Sequence, residues 1–331
     1  MTILITGAGA AGTVSVIQAL RRGLPDVRIV GVDATSLAAG KYFVDRFYVV
    51  PMAREPEYLN VMLKICQCEK VKVALISVDE EIAVLVKNKF TFASVGTQLA
   101  LADSENVLTC LDKLKLFYKL YSSRISLPPT WLLSQFNSEE GKKYIFKPRS
   151  GRGSRGIYYL DQLPELEYLR KFLPADDYLV QEYIAGREYT VDILKNRRGE
   201  GFVATVPRLR LETDSGLSIK GKTVRSQKLI DQSQYVMNCL GLWGAANIQW
   251  IVDSAGVPWL IEVNPRLAGT VILSVEAGIN IPAEVVKIFA SEEYEGKEKN
   301  FQEGVVMLRY WQAVFTGNTD EEHAAGIIPD Q

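Results

Sequence analysis

Residues 258–266 read PWLIEVNPR, and residues 246–253 just upstream read ANIQWIVD. Both are short apolar runs bounded by turn residues, the pattern of two adjacent strands. Side chains alternate between the two faces of a strand, so Glu262 and Asn264 fall on one face. Gln249 on the neighbouring strand adds an amide oxygen. One carboxylate and two amides form a hard oxygen set that suits Mg²⁺, or Mn²⁺, sharing its shell with phosphates. Gln249, Glu262 and Asn264 are therefore candidate ligands for one or two ions. Arg266 follows on the same face, placed to steady an anionic group beside the metal.

Moving outward, residues 144–160 read YIFKPRSGRGSRGIYYL, two strands joined by a glycine-rich hairpin. Backbone N–H groups in such a loop turn toward anionic oxygens. Ser150, Gly151, Gly153, Ser154 and Gly156 make up the loop, Arg152 and Arg155 add charge, and Lys147 precedes it on the strand. Taken alone, the same residues also fit an ordinary exposed hairpin with solvated arginines.

At the amino end, ILIT (3–6) is followed by Gly7, Gly9 and Gly12 and by the amphipathic stretch VSVIQALRR. Strands at 27–33 and 72–78 and a helix at 80–90 continue an alternation that predicts a parallel α/β sheet ending near residue 105. Asp33 closes the second strand 21 residues after Gly12, the spacing of a dinucleotide site in which glycines admit a pyrophosphate and the acid accepts ribose hydroxyls. An NAD(P)-dependent oxidoreductase is thus one open reading, and a tight turn that only packs is the other. Residues 216–223, GLSIKGKT, satisfy the phosphate-loop pattern through Lys222 and Thr223, but no buried strand precedes them and no amphipathic helix follows. A glycine-containing connection between strands is favoured there. From Asp112 a helix with apolar residues at 114, 117, 118 and 121 runs to LPPT (127–130), where prolines end it. Beyond it the text is rich in strands with a helix at 231–240, which predicts a mainly antiparallel sheet. Asp79, Glu80 and Glu81 either bind an amine or cap a helix, with capping favoured.

The 331 residues carry 38 Lys and Arg against 39 Asp and Glu, a formal charge of −1, so no net field draws the chain to nucleic acid or to an anionic membrane. Four unpatterned cysteines argue against a zinc site or disulfide framework and fit a reducing cytoplasm. The one histidine, His323, leaves Ser-His-Asp, Cys-His and His-ligated metal chemistry unsupplied. No apolar run approaches membrane-spanning length, and the start shows no targeting segment.

With these residues the chain resembles the ATP-grasp superfamily, most closely the ATP-grasp unit of the carbamoyl-phosphate synthase large subunit, over nearly its whole length. The resemblance implies an α/β and α+β chain: a Rossmann-like domain (1–105), a first grasp lobe with the glycine flap (106–183), a second lobe with the metal site (184–315) and a tail (316–331). It implies that Lys113 and Lys147 hold ATP phosphates and that the 150–156 hairpin is the flap. Gln181, Glu182, Tyr183 and Ile184 would form the adenine-contacting hinge, and Glu188 would take the ribose hydroxyls. Gln249, Glu262 and Asn264 would be the Mg²⁺ ligands, Arg266 would sit beside the transferred phosphoryl group, and Lys220 would be a further phosphate contact. Gln249 stands where Asp or Glu is common in the superfamily, and the flap's arginines stand where small residues are usual. The implied activity is an ATP-dependent ligase: a small-molecule carboxylate is activated as an acylphosphate and captured by an amine, forming a C–N bond, with C–S or C–O as variants; a homodimer is the family habit, and the sequence leaves the oligomeric state open. A non-catalytic ATP-binding protein on the same fold is a further alternative.

Overall fold

The computed structural model describes residues 1–317 except 138–140, 152, 154, 161–162, 199–200 and 215. Ser154, Arg152 and His323 therefore lie outside the described residues, as does most of the expected tail.

The amino-terminal third alternates as its sequence requires. It contains β1 (Thr2–Thr6), α1 (Ala11–Gly23), β2 (Arg28–Asp33), β3 (Arg46–Val49), α2 (Tyr58–Cys68), β4 (Val71–Leu75), α3 (Asp79–Leu85), α4 (Lys89–Ser94) and β5 (Gln98–Leu99). The strands pair in parallel in the order β3-β2-β1-β4-β5. Ile3, Leu4 and Ile5 are fully buried because helices cover both faces. Two boundaries differ from expectation. The strand expected to reach residue 78 stops at Leu75, since the Ser77 N–H turns to Thr6 Oγ1 (3.1 Å). The helix expected over 80–90 is broken at Asn88, which leaves helical dihedrals and donates its side-chain amide to the Val84 carbonyl (2.9 Å).

The chain then forms α5 (Ser104–Leu111), α6 (Lys113–Leu120), β6 (Thr130–Leu132), β7 (Tyr144–Pro148), β8 (Tyr158–Leu160), α7 (Leu163–Phe172) and β9 (Tyr178–Glu182). Four of these strands make an antiparallel sheet, order β6-β9-β7-β8. The remainder comprises β10 (Arg187–Lys195), β11 (Phe202–Asp214), β12 (Leu217–Thr223), α8 (Gln227–Cys239), β13 (Gly244–Val252), β14 (Pro258–Asn264), α9 (Ile272–Glu276), α10 (Ile281–Ala290) and β15 (Val306–Leu308). Its sheet is also antiparallel, order β14-β13-β10-β11-β12-β15. The helix expected at 231–240 begins earlier, at Gln227, where the Ser226 hydroxyl caps it by accepting from Leu229 N–H (3.4 Å). Helices α2, α5, α7, α9 and α10 were not expected. In α10 nearly every side chain is buried, and its polar residues Glu284 and Lys287 pair with each other at 2.9 Å.

The cores explain how these layers are joined. Two large apolar clusters run without a break from the parallel sheet into the six-stranded sheet, one holding Leu4, Val30 and Tyr58 together with Val191, Ile248 and Trp250. The other joins Ile3, Ile5 and Ile17 to Leu194, Val271 and Val286. The four-stranded sheet has its own small core, with Phe136, Tyr144, Phe146 and Val180 packed against Leu166 and Leu169 of α7. Beneath β10, β11 and β13 lies a buried polar network. Asp192 pairs with Arg208 (2.6 Å, both side chains 3% exposed) and accepts hydrogen bonds from Asn247 Nδ2 (3.1 Å) and Ser274 Oγ (2.6 Å). Arg208 also donates to the carbonyl (2.8 Å) and hydroxyl (2.6 Å) of Thr270. Among the described residues no helix is long and apolar enough to cross a membrane.

The separate small core yields a first prediction. Phe146→Ala, at a fully buried site, should cost about 3–5 kcal/mol. Hydrogen exchange should show that loss as faster exchange in residues 130–182 with little change in β13 and β14; equal acceleration in both regions would contradict an independent core.

Candidate active site

The three layers enclose a cavity of about 580 Å³. Its most buried cation is Lys147 of β7, 6% exposed. Lys147 Nζ donates to Gln181 Oε1 of β9 at 2.9 Å. Burial pushes this ammonium down, the positive charge of Lys113 pushes it further, and Glu262 opposes only in part, leaving it at about 8 against an ordinary 10.5. Lys113 opens α6, and its position is set by its neighbours. Asp112 caps that helix by accepting from Leu114 N–H (3.1 Å) and Lys115 N–H (3.2 Å). Arg149, two residues beyond Lys147, binds the same carboxylate through Nε and Nη2, both at 2.8 Å. The Lys113 N–H bonds the Arg149 carbonyl (3.0 Å), closing a clamp between α6 and the end of β7. Burial works to raise the Asp112 carboxyl, but Arg149 and the two capping N–H groups outweigh it and hold it below the carboxylate range. Lys113 Nζ reaches the Gly151 carbonyl in the flap (3.1 Å).

The flap is the connection of the β7–β8 hairpin, as its sequence predicts. Gly151, Gly153 and Gly156 take φ values of +127°, +68° and +69°, which explains the glycines. Gly151, Gly153 and Arg155 line the cavity, while Ser150 and Gly156 flank it. In the expected hinge, Gln181, Glu182 and Ile184 line the cavity and Tyr183 does not. Tyr183 instead packs edge-on against Tyr159, and its N–H bonds the Lys143 carbonyl. Glu188, on β10, lines the cavity and pairs with Arg210 (3.1 Å).

The opposite wall carries the expected oxygen set. In the β13–β14 register Gln249 faces Glu262 and Asn247 faces Asn264, and all four line the cavity. Gln249, Glu262 and Asn264 make no side-chain hydrogen bond or ion pair to another described residue, so their oxygens are available to a cation. One carboxylate with two amides matches the donors Mg²⁺ takes when phosphates complete its shell. Arg266 lies just past β14 in the same wall and forms a two-point ion pair with Asp79, Nη2 to Oδ2 at 3.2 Å and Nε to Oδ1 closer. Burial works against its charge, but Asp79 prevails and holds the guanidinium protonated. Asp79 thus neither caps α3, which has no side-chain cap, nor stands free for an amine.

Several expectations are corrected. Lys220 is half exposed on β12 and pairs with Glu212, away from the cavity. The residue that occupies this wall is Arg210, on the adjoining strand, with its side chain 10% exposed. Burial lowers its affinity for a proton and Arg208 adds to this, while Glu188 and Glu262 oppose. Its signal was present in the alternation Arg208-Leu209-Arg210, which puts both arginines on one face of β11. Asn247 was likewise overlooked, two residues before Gln249. The stretch GLSIKGKT forms strand β12 with Lys222 exposed on its outer face, so it is no phosphate loop. Asp33 is used internally: Oδ2 accepts from Gly9 N–H (2.7 Å) and Oδ1 from Thr35 N–H (3.2 Å). The other side of that turn matters more, since Ala10, Ala11, Gly12 and Thr13 line the cavity. A β-carbon on Gly12 would stand 2.6 Å from Gly269 Cα, so glycine is required there by close backbone packing, as the packing alternative to a dinucleotide site proposed.

This architecture is the ATP-grasp fold behind an amino-terminal α/β domain. Residues 174–312 match the family described as "ATP-grasp in the biosynthetic pathway with Ter operon", and residues 3–100 match the family described as "PylC-like, N-terminal domain". A D-alanine–D-alanine ligase from Petrotoga mobilis is 31% identical over 112 residues, 33% of this chain and 37% of that enzyme, so the match spans little over a third of the relative's length. Among solved structures, the ADP complex of an N5-carboxyaminoimidazole ribonucleotide synthetase superposes with a TM-score of 0.74 at 14% identity, covering 93% of this chain and 81% of that one. The biotin carboxylase domain of Hydrogenobacter thermophilus 2-oxoglutarate carboxylase, with MgADP, ADP and bicarbonate, superposes at 0.72 and 15% identity, covering 92% and 73%.

Two predictions test the cavity. The depressed Lys147 ammonium loses its proton as pH rises through about 8, removing a charge that attracts phosphates. Calorimetric affinity for Mg²⁺-ATP should therefore fall between pH 7 and pH 9, and Lys147→Arg should flatten that slope; an equal slope in the variant would assign it elsewhere. Fold stability runs the opposite way, because between about 8 and 10.5 the unfolded chain binds the extra proton and stability rises with pH. Lys222→Ala, on the outer face of β12, should leave ATP affinity within about twofold, as surface changes usually do; a loss of binding would restore the phosphate-loop reading.

Proposed function

We propose that this protein is an ATP-dependent carboxylate–amine ligase that works through an acylphosphate. The observation that carries the reading is the convergence, in one cavity, of Lys113, Lys147, Arg210 and Arg266 with Gln249, Glu262 and Asn264. Phosphoryl transfer needs positioning and charge neutralisation more than a protein nucleophile, and this wall supplies both without a histidine. In the first step a carboxylate oxygen of the substrate attacks the γ-phosphorus of ATP, and the bond to the β-phosphate oxygen breaks, releasing ADP. In the second, an amine attacks the acyl carbon, the acyl C–O bond breaks, and phosphate leaves as the nitrogen loses a proton. Mg²⁺ held by Glu262, Asn264 and Gln249 would supply neutralisation of the phosphate oxygens. Lys113 and Lys147 hold the phosphates from the opposite side, and Arg266, steadied by Asp79, faces the transferred group.

The likeness to D-alanine–D-alanine ligase supports the C–N assignment, and the superposition on a synthetase and a biotin carboxylase domain that each hold ADP supports the nucleotide. A finer reading, a carbamoyl-phosphate-synthase-like unit, is supported by the PWLIEVNPR stretch with Gln249. Asp33, bonded to Gly9 and Thr35, disfavours the oxidoreductase reading.

ADP and phosphate release should be measured with Mg²⁺-ATP against amino acids, bicarbonate and small carboxylates, each with and without ammonia or a second amino acid. Release that depends on one carboxylate is expected. Glu262→Ala and Lys147→Ala should each abolish it in a protein whose melting curve shows it still folded; turnover retained in either folded variant would overturn the assignment. ATP binding with no stimulation by any carboxylate would favour the non-catalytic alternative.

A further inference from the structure

We propose that Thr130, which does not line the large cavity, is a positioning residue: it sets which end of the Gln181 amide faces Lys147, and so where that ammonium sits. The inference rests on reading the cavity as an ATP site. A side-chain amide presents an oxygen at one end and an NH₂ group at the other, almost equal in shape. An ammonium only donates and needs the oxygen. Lys147 Nζ meets Gln181 Oε1 at 2.9 Å, so something must hold the amide in that sense.

Thr130 does so by the direction of its own hydroxyl. Its single hydrogen goes to the Pro128 carbonyl, with Oγ1 and O 2.8 Å apart. Its lone pairs are thereby turned to Gln181, and they accept from Nε2 at 2.8 Å. Reversing the amide would set NH₂ against the ammonium and oxygen against the hydroxyl lone pairs, two mismatches at once. Water cannot relieve them readily, because Thr130, Gln181 and Lys147 are 9%, 7% and 6% exposed. The backbone end of the relay is also held: β6 pairs with β9, Thr130 opposite Gln181, and the Glu182 N–H bonds the Pro129 carbonyl (3.0 Å). The fixed carbonyl of Pro128 therefore determines, through one hydroxyl and one amide, the placement of a cation two strands away.

The test is calorimetric affinity of the full chain for Mg²⁺-ATP, with melting curves to show that each variant is folded. Thr130→Val keeps the shape and cannot accept; it should weaken ATP about 5- to 10-fold, the worth of one buried hydrogen bond. Thr130→Ser keeps the hydroxyl and should stay within about twofold. In a Gln181→Glu background both ends of the side chain accept, orientation no longer matters, and adding Thr130→Val should change affinity less than about twofold. If Thr130→Val does not fold, Thr130→Ala replaces it with the same expected pattern. An equal loss in both backgrounds would show that Thr130 only packs, and no loss in either would show that it does not act on Lys147; each overturns the proposal. Lys147→Ala is the control: if it retains ATP affinity, the reading of the cavity fails, and the proposal with it.

Discussion

The Asp192–Arg208 ion pair is the contact on which the rest of the site depends. Two charges taken out of water are tolerated only when their remaining hydrogen bonds are supplied, and removing one partner of such a pair typically costs about 3–5 kcal/mol. Here Asn247, Thr270 and Ser274 supply most of them, and only Arg208 Nε is left without a partner among the described residues. The consequence is geometric. Three neighbouring strands and the segment 270–274 are tied to one buried carboxylate. The chain leaving β14 is therefore held down over the sheet, and Arg266 and Gly269 lie between two fixed points. From there Arg266 reaches Asp79 at the start of α3, and Gly269 receives the backbone of Gly12.

That arrangement divides the molecule unequally. The parallel sheet and the six-stranded sheet share two apolar clusters, whereas the four-stranded sheet keeps its own core. The cavity lies where these parts meet. The oxygen set and Arg266 belong to the shared body; Lys147, Gln181 and the flap belong to the smaller one. Lys113 lies between, clamped to the small sheet by Asp112 and Arg149. A site assembled from two separately cored bodies can exclude water by their approach, as the proposed acylphosphate would require.

The cations are also held differently. Arg266 is compensated by an ion pair, while Lys147 has a neutral amide, a positive neighbour and only partial compensation from Glu262. Its charge is costly to hold at this buried position and would be relieved by an anion. Such a group favours a phosphate over any neutral ligand and does not require a conformational change to create the preference.

Much of this was legible in the chain itself, for reasons of local physics. The period of two placed Glu262 and Asn264 on one face, glycine backbones announced the β7–β8 hairpin, and the strand–turn–helix at residues 3–23 required a parallel sheet. Glu262 and Arg266 could be named from strand parity, and Lys147 from its place on the strand that leads into the glycine hairpin. Other features depended on partners distant in sequence. Lys220 and Arg210 are both basic and lie on adjoining strands, and only the pairing of Arg210 with Gly221 in the sheet shows which one turns inward. Asp33 reads as a ribose acceptor until folding brings Gly9 N–H within 2.7 Å of it. Asp79 reads as a helix cap until Arg266, 187 residues away, is folded against it. Local sequence determined the elements and the chemistry they carry; tertiary structure alone decided which polar groups satisfy one another and which remain for a ligand, because burial and hydrogen bonding are settled between elements and not within them.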